Sequence, residues 1–237
     1  MAKLFRNNGL TIVLMLLFLV SILGQWISGW MLQNEELERH GRETLSLAGF
    51  AADAEFLSSV FENWESEFLQ MSAYVVLTAM LIQKGSAESR DPDDPPRDDN
   101  LASQAHEPGA PAILKGGVAA RWLYAHSLGL ALFTLFLLSF LLHWWNSART
   151  AAQEALQHGD TPPTAVGYLA DPQLWFESFQ NWQSEFLSTA LLVVLSIWLR
   201  QRESPESKPV AAPHARTGAA GSGSGPDRVD EDVPRNA

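Results

Sequence analysis

Apolar runs divide the chain, and they come in two lengths. No charged residue occurs from Asn7 to Asn34 or from Trp122 to Ala148. Both runs are rich in Leu, Phe, Val and Ile, and both exceed the ~20 apolar residues an α-helix needs to cross a bilayer. Two shorter uncharged runs cover residues 68–83 and 186–199. Alone they are marginal for a crossing. Extended back to Asn63 and Asn181 they reach about 20 residues, roughly 30 Å of helix. The pattern predicts an all-α integral membrane protein with transmembrane spans at residues 10–32, 63–83, 123–145 and 181–200. The extension draws Glu67 and Glu185 inside the second and fourth spans, about one turn from their ends.

The first run follows Lys3 and Arg6, as a secretory signal would. It is longer than the ~7–15 residues of a signal's apolar segment, and no A-x-A site follows. Trp26 and Trp30 stand at its end instead, suited to an interfacial anchor. It reads as an uncleaved membrane helix.

The chain is internally duplicated at an offset of 118 residues (182 − 64 = 118, from Trp182 and Trp64). Residues 61–69 and 179–187 are identical at seven of nine positions. The same offset pairs Trp26 with Trp144, Glu36 and His40 with Glu154 and His158, Asp53 with Asp171, and Ser86-x-Glu88-Ser89 with Ser204-x-Glu206-Ser207. Similarity between apolar helices accounts for matched leucines but not for matched polar residues. The organisation is therefore two tandem helical hairpins. Residues 1–84 form the first and residues 119–202 the second. Residues 85–118 are an acidic, proline-rich linker, and residues 203–237 a disordered tail. Asp171-Pro172 resembles a helix N-cap with proline at the first position, so the second helix of each hairpin starts near residue 54 or 172.

Basic residues set the orientation. With the N-terminus inside, the cytoplasmic segments hold thirteen Lys and Arg, and the outer loops hold Arg39, Arg42 and Arg149. That bias places both termini in the cytoplasm. Each hairpin crosses twice, so the two copies run parallel. The net charge of -11 argues against a nucleic-acid partner. The bilayer itself is the expected partner, with a membrane protein or a second copy as further possibilities. The absence of cysteine excludes disulfides and thiolate chemistry.

Three groups of residues are candidates for chemistry. In the first, Asn63, Glu67, Gln70, Tyr74 and Thr78 recur at spacings of 4, 3, 4 and 4 and share a helix face. Asn181, Glu185, Ser188 and Ser196 repeat it, with Leu192 in the tyrosine position. Ser66 and Ser184 belong to the same motif, and Gln25 and His143 are an aligned pair at similar depth. These residues form either an interhelical hydrogen-bond clamp or an ion or proton site with His143 breaking the symmetry. In the second group, Glu36 with His40 and Glu154 with His158 stand at i, i+4, as metal ligands or as helix-end residues before a glycine cap. The third is the set of tryptophans at the outer ends, which an aromatic belt explains. No phosphate-binding glycine loop, G-x-S-x-G or H-E-x-x-H is present, and no cofactor is indicated.

The runs "FENWESEFLQM", "QKGSAES", "FESFQNWQSEFL" and "SPESKPVAAPH" resemble a bacterial family of small four-span membrane proteins known only as a domain of unknown function. The resemblance covers almost the whole chain and implies a location in the bacterial inner membrane. One departure is "QRESPES", where the familiar version has Lys-Gly after the Gln. The function expected from the residues is non-enzymatic, a structural or assembly protein. The alternatives are a small transporter or proton-coupled carrier using Glu67 and Glu185, and a metal-dependent membrane enzyme using the Glu/His pairs. The orientation has a direct check. A single cysteine replacing Ser46 should react with an impermeant maleimide added outside the cell, and labelling only from the cytoplasmic side would reverse the topology.

Overall fold

A computed structural model describes residues 2–91 and 100–218. All regular elements among them are helical. In chain order they are α1 (Ala2–Arg39), α2 (Leu47–Phe50), α3 (Ala54–Met80), α4 (Leu101–Gln104), a 3-10 turn (Ala112–Lys115), α5 (Val118–Ala125), α6 (Ser127–His158), α7 (Ala165–Tyr168) and α8 (Pro172–Leu195). Helices α3 and α8 start where the sequence places them, at Ala54 and Pro172. The third apolar run starts its long helix later than expected, because His126 (φ -109, ψ 5) separates α5 from α6.

Among the described residues, two helices are long and apolar enough to cross a membrane. The first, Leu4–Arg39, contains an 18-residue stretch of mean hydropathy 2.4, and the second, Ser127–His158, one of 1.9. Helices α3 and α8 have 27 and 24 residues, about 40 and 36 Å at 1.5 Å per residue. Acidic residues in their first halves shorten their apolar stretches.

The chain forms two compact units. The first comprises Met1–Ser66 with Phe136–Asn181, and the second Glu67–Leu135 with Trp182–Ala237. In the first unit, the same local bonds recur at positions 118 apart. The Ser46 and Thr164 hydroxyls each accept from the backbone N–H three residues on, at 3.0 Å. Such caps satisfy an otherwise orphaned donor at the start of α2 and α7. The Trp26 indole donates to Leu47 O and the Trp144 indole to Ala165 O. Asp53 and Asp171 accept from the N–H groups of Glu55 and Gln173. Gly41 (φ 68) and Gly159 (φ 77) end α1 and α6, with Arg42 N bonded to Leu37 O and Asp160 N to Ala155 O. That is the Schellman arrangement, in which a residue just past the helix adopts the left-handed conformation, cheap for glycine.

In the second unit, a seven-residue turn also appears twice. Ser89 accepts from Gln83 N, and Ser207 from Gln201 N, both at 2.9 Å. The turn needs a left-handed residue at its third position. Gly85 (φ 86) supplies it in one copy and Glu203 (φ 66) in the other. Gly85 is also crowded, since an added Cβ would stand 2.9 Å from His214 O. The "QRESPES" departure thus falls on a backbone position that favours glycine.

The stretch read as linker holds α4 and the 3-10 turn, and Ser86, Ala87 and Ser89 in it are buried. Within the expected tail, residues 203–218 fold around Lys208, which is 1% exposed. Its ammonium donates to Gly85 O, His214 O and Arg216 O at 2.5, 2.9 and 3.0 Å, so all three of its protons are used. Burial, with Arg200 and Arg216 nearby, holds Lys208 below its ordinary pKa. Residues 92–99 and 219–237, on which most of the expected disorder falls, lie outside the described residues. Glu203→Gly should raise stability by about 1 kcal/mol, by removing left-handed strain. Gly85→Ala should lower it by more than that. Thermal unfolding in detergent measures both, and an unchanged midpoint for both would contradict the strain assignment.

Candidate functional site

Between Phe136 and Ala148, α6 turns its polar side chains inward. Ser139, His143, Asn146 and Ser147 are 0–6% exposed, while Leu138, Leu141 and Trp145 are 49–52% exposed. The spacing 139, 143, 146, 147 places one narrow polar stripe on an otherwise apolar stretch of the helix.

His143 is the centre of that stripe, and both its ring nitrogens face carboxylates. Nδ1 lies 2.8 Å from Glu65 Oε2 of α3, with both side chains at 0% exposure. Nε2 lies 3.4 Å from Glu177 Oε2 of α8, whose side chain is 26% exposed. Glu177 also accepts from Gln173 Nε2 at 2.7 Å. Glu62, one helical turn before Glu65, accepts from the Asn181 amide. Glu62, His143 and Glu177 each offer a ligand atom, all within 4.8 Å of one another. Three helices therefore bring three carboxylates and one imidazole together. Neither Glu62 nor Glu177 is paired with a lysine or arginine among the described residues.

The residues singled out from sequence divide around this centre. Of the two acids in "NWESEF", the one that meets His143 is Glu65 and not Glu67. Two residues along a helix turn the side chain by about 200°, so the acids point to opposite sides. Glu67 is exposed, Glu185 is half-buried, and the two lie near enough to repel each other. Asn63 is exposed and donates to Ser59 O one turn back, and Ser66 is buried on Asn63 O. Ser184 is exposed. Asn181 belongs to the centre through Glu62. Gln25 donates to Ser59 Oγ at 3.1 Å.

That last bond exposes the signal the sequence held. At an offset of 118, Gln25 aligns with His143, and Ser59 with Glu177. The first copy makes a neutral hydrogen bond where the second sets histidine against glutamate. Glu62 and Glu65 align with Gln180 and Gln183, so the acids of the first copy are amides in the second. The two copies differ at all four positions of the centre.

The rest of the shared polar face hydrogen-bonds in the second unit. Gln70 donates to Thr189 Oγ1, the Tyr74 hydroxyl to Glu88 Oε2 at 2.6 Å, and Ser196 Oγ meets Ser86 Oγ at 2.9 Å. Burial raises the Glu88 carboxyl above its ordinary range, with the Tyr74 hydroxyl pulling the other way. The i, i+4 Glu/His pairs are helix-end residues. His40 is exposed with Nδ1 2.9 Å from Glu36 O, and Glu154 and His158 are also exposed.

Removing one partner of a buried charged pair leaves an uncompensated charge, so His143→Leu should destabilise the protein by about 3–5 kcal/mol. Glu67→Ala should change stability by less than about 0.5 kcal/mol, as an exposed surface substitution does. Denaturant unfolding compares them, and equal effects would contradict the assignment of the centre.

No curated protein and no solved structure matches the chain. A family described as a domain of unknown function (DUF6766) matches residues 1–219 of 237. The chain belongs to this domain family of unknown function.

Proposed function

We propose that this chain is a multi-pass protein of the bacterial inner membrane that takes up a cation at the centre formed by Glu62, Glu65, His143 and Glu177, as a small transporter or carrier. Four spans, two parallel hairpins and cytoplasmic termini complete the picture. The arrangement of α6 supports the membrane reading, since in water its buried polar stripe and exposed leucines would be inverted. Along α1, Leu10, Leu17 and Val20 are 59–75% exposed, as lipid-facing side chains would be.

One observation carries the functional reading. A fully buried imidazole stands between carboxylates of two other helices, at the position where the duplicate copy has glutamine and serine. Gln25 and Ser59 hold two helices together without ionisable groups. Holding helices therefore does not require the costlier charged version. Acidic and basic groups in such a setting serve ion pathways by default. Glu62 and Glu177 are half-buried rather than sealed, which leaves the centre reachable.

A second reading keeps the protein non-enzymatic and structural, an assembly partner for another membrane protein or a second copy. The neutral bond of Gln70 to Thr189 favours it, since it joins α3 to α8 and offers no charge to an ion. Reconstitution separates the two. Purified protein in vesicles with an inside-negative potential should take up cations, read by dyes for protons, Zn²⁺ and Mn²⁺. His143→Gln with Glu177→Gln should abolish uptake while tryptophan fluorescence stays native. Folded wild-type protein that carries no cation above protein-free vesicles would defeat the carrier and favour the structural reading.

A further inference from the structure

We infer that Glu62, His143 and Glu177 form a binding site for one first-row divalent metal ion, with Glu65 as its outer-sphere support, an inference that rests on this centre being the cation site. The donor set is one imidazole nitrogen and two carboxylate oxygens. Zinc accepts such ligands at about 2.0–2.2 Å and keeps a fourth position for water when the protein supplies three. Ligand atoms around such an ion lie roughly 3.3 Å apart; His143 Nε2 and Glu177 Oε2 already stand at 3.4 Å, and atoms within 4.8 Å need to draw in by no more than roughly 1.5 Å. The two glutamates can supply that movement, because both are half-buried with long side chains.

Glu65 provides the second argument. A histidine that binds a metal through one nitrogen almost always donates its other N–H to a carboxylate or carbonyl, which fixes the tautomer and aims the ring. Here Nδ1 is committed to Glu65 at 2.8 Å, both groups at 0% exposure. Nε2 is left facing Glu177, and Glu62 stands in the same cluster. Each of those glutamates is oriented in turn by an amide, Glu177 by Gln173 and Glu62 by Asn181. The site thus has three potential ligands, and every one has a supporting partner.

Charge and ligand type narrow the ion. Three carboxylates outnumber one imidazole, and no lysine or arginine pairs with Glu62 or Glu177 among the described residues. A divalent ion offsets that excess. Imidazole disfavours Mg²⁺ and Ca²⁺, which take oxygen ligands, and the lack of a sulfur donor in the set disfavours Cu(I). Zn²⁺ and Mn²⁺ suit the mixed set. Duplication sets the stoichiometry. The aligned positions are Gln25, Ser59 and Gln180, none of which binds such an ion strongly, so the chain carries one site and not two.

Calorimetry with ZnCl₂ and MnCl₂ on the full chain in lipid nanodiscs tests this. One equivalent should bind. Glu65→Gln should weaken binding by about 10–100-fold, the usual effect of losing an outer-sphere partner. His143→Gln should weaken it by more, and His40→Gln and Glu67→Gln should leave it unchanged. Should the centre variants misfold, the wild-type protein still decides. Pulsed electron paramagnetic resonance of bound Mn²⁺ should show coupling to one imidazole nitrogen. Wild-type protein with no stoichiometric binding, or bound Mn²⁺ without nitrogen coupling, would overturn the site. Cation uptake by protein that binds neither metal would overturn this inference alone and leave the carrier standing. Stoichiometric binding without uptake would support the site and defeat the carrier.

Discussion

A buried carboxylate cannot stay charged without a partner, and in this protein Glu65 has its partner in His143. Both side chains are closed to solvent. Removing an ion from water costs several kcal/mol even after relaxation, and only close geometry with further hydrogen bonds offsets it. The surrounding structure meets that demand. The 2.8 Å contact aligns α3 with α6, and the second ring nitrogen aligns α6 with α8 through Glu177. Ser147 continues the same stripe one turn on, meeting Ser58 of α3. An apolar helix with an inward polar stripe has little choice of rotation about its axis. The pair therefore sets helix orientation as well as chemistry.

Duplication explains how such a centre arises on a simple scaffold. Caps, turns and indole bonds recur at the same local positions in both copies, because each needs only a few neighbouring residues. Ser46 and Thr164, Asp53 and Asp171, and Ser89 and Ser207 repeat their roles. The centre does not recur. One copy contributes Glu62 and Glu65, the other His143 and Glu177, and each aligned partner is neutral. Two identical copies would stack either acids or amides at this point. Divergence at four positions brings acids and a base together.

The helices were legible in the sequence because their signals are local. Asp171-Pro172 marks the start of α8, and the glycines after His40 and His158 mark the ends of α1 and α6. The site was half legible. His143 stood out as the residue breaking the symmetry, and Asn181 proved to belong to its surroundings. Glu67 and Glu185 drew attention because they match, and matching residues in a duplicated chain report shared scaffold. Choosing between Glu65 and Glu67 depends on the rotation of α3, which a partner helix decides and the motif does not encode. The folding of residues 203–218 around Lys208 was hidden for a similar reason. Its three acceptors are carbonyls, one of them more than a hundred residues away, and no residue type announces a carbonyl.

The coupling between Glu65 and His143 tests the central claim most directly. A double-mutant cycle, with Glu65→Gln, His143→Gln and the pair together, measures it by unfolding in detergent. Residues in one buried network show interaction energies of about 0.5–3 kcal/mol, and this pair belongs at the upper end of that range. Additive effects, within about 0.5 kcal/mol, would mean that the two side chains do not meet and that the centre is not what holds the structure.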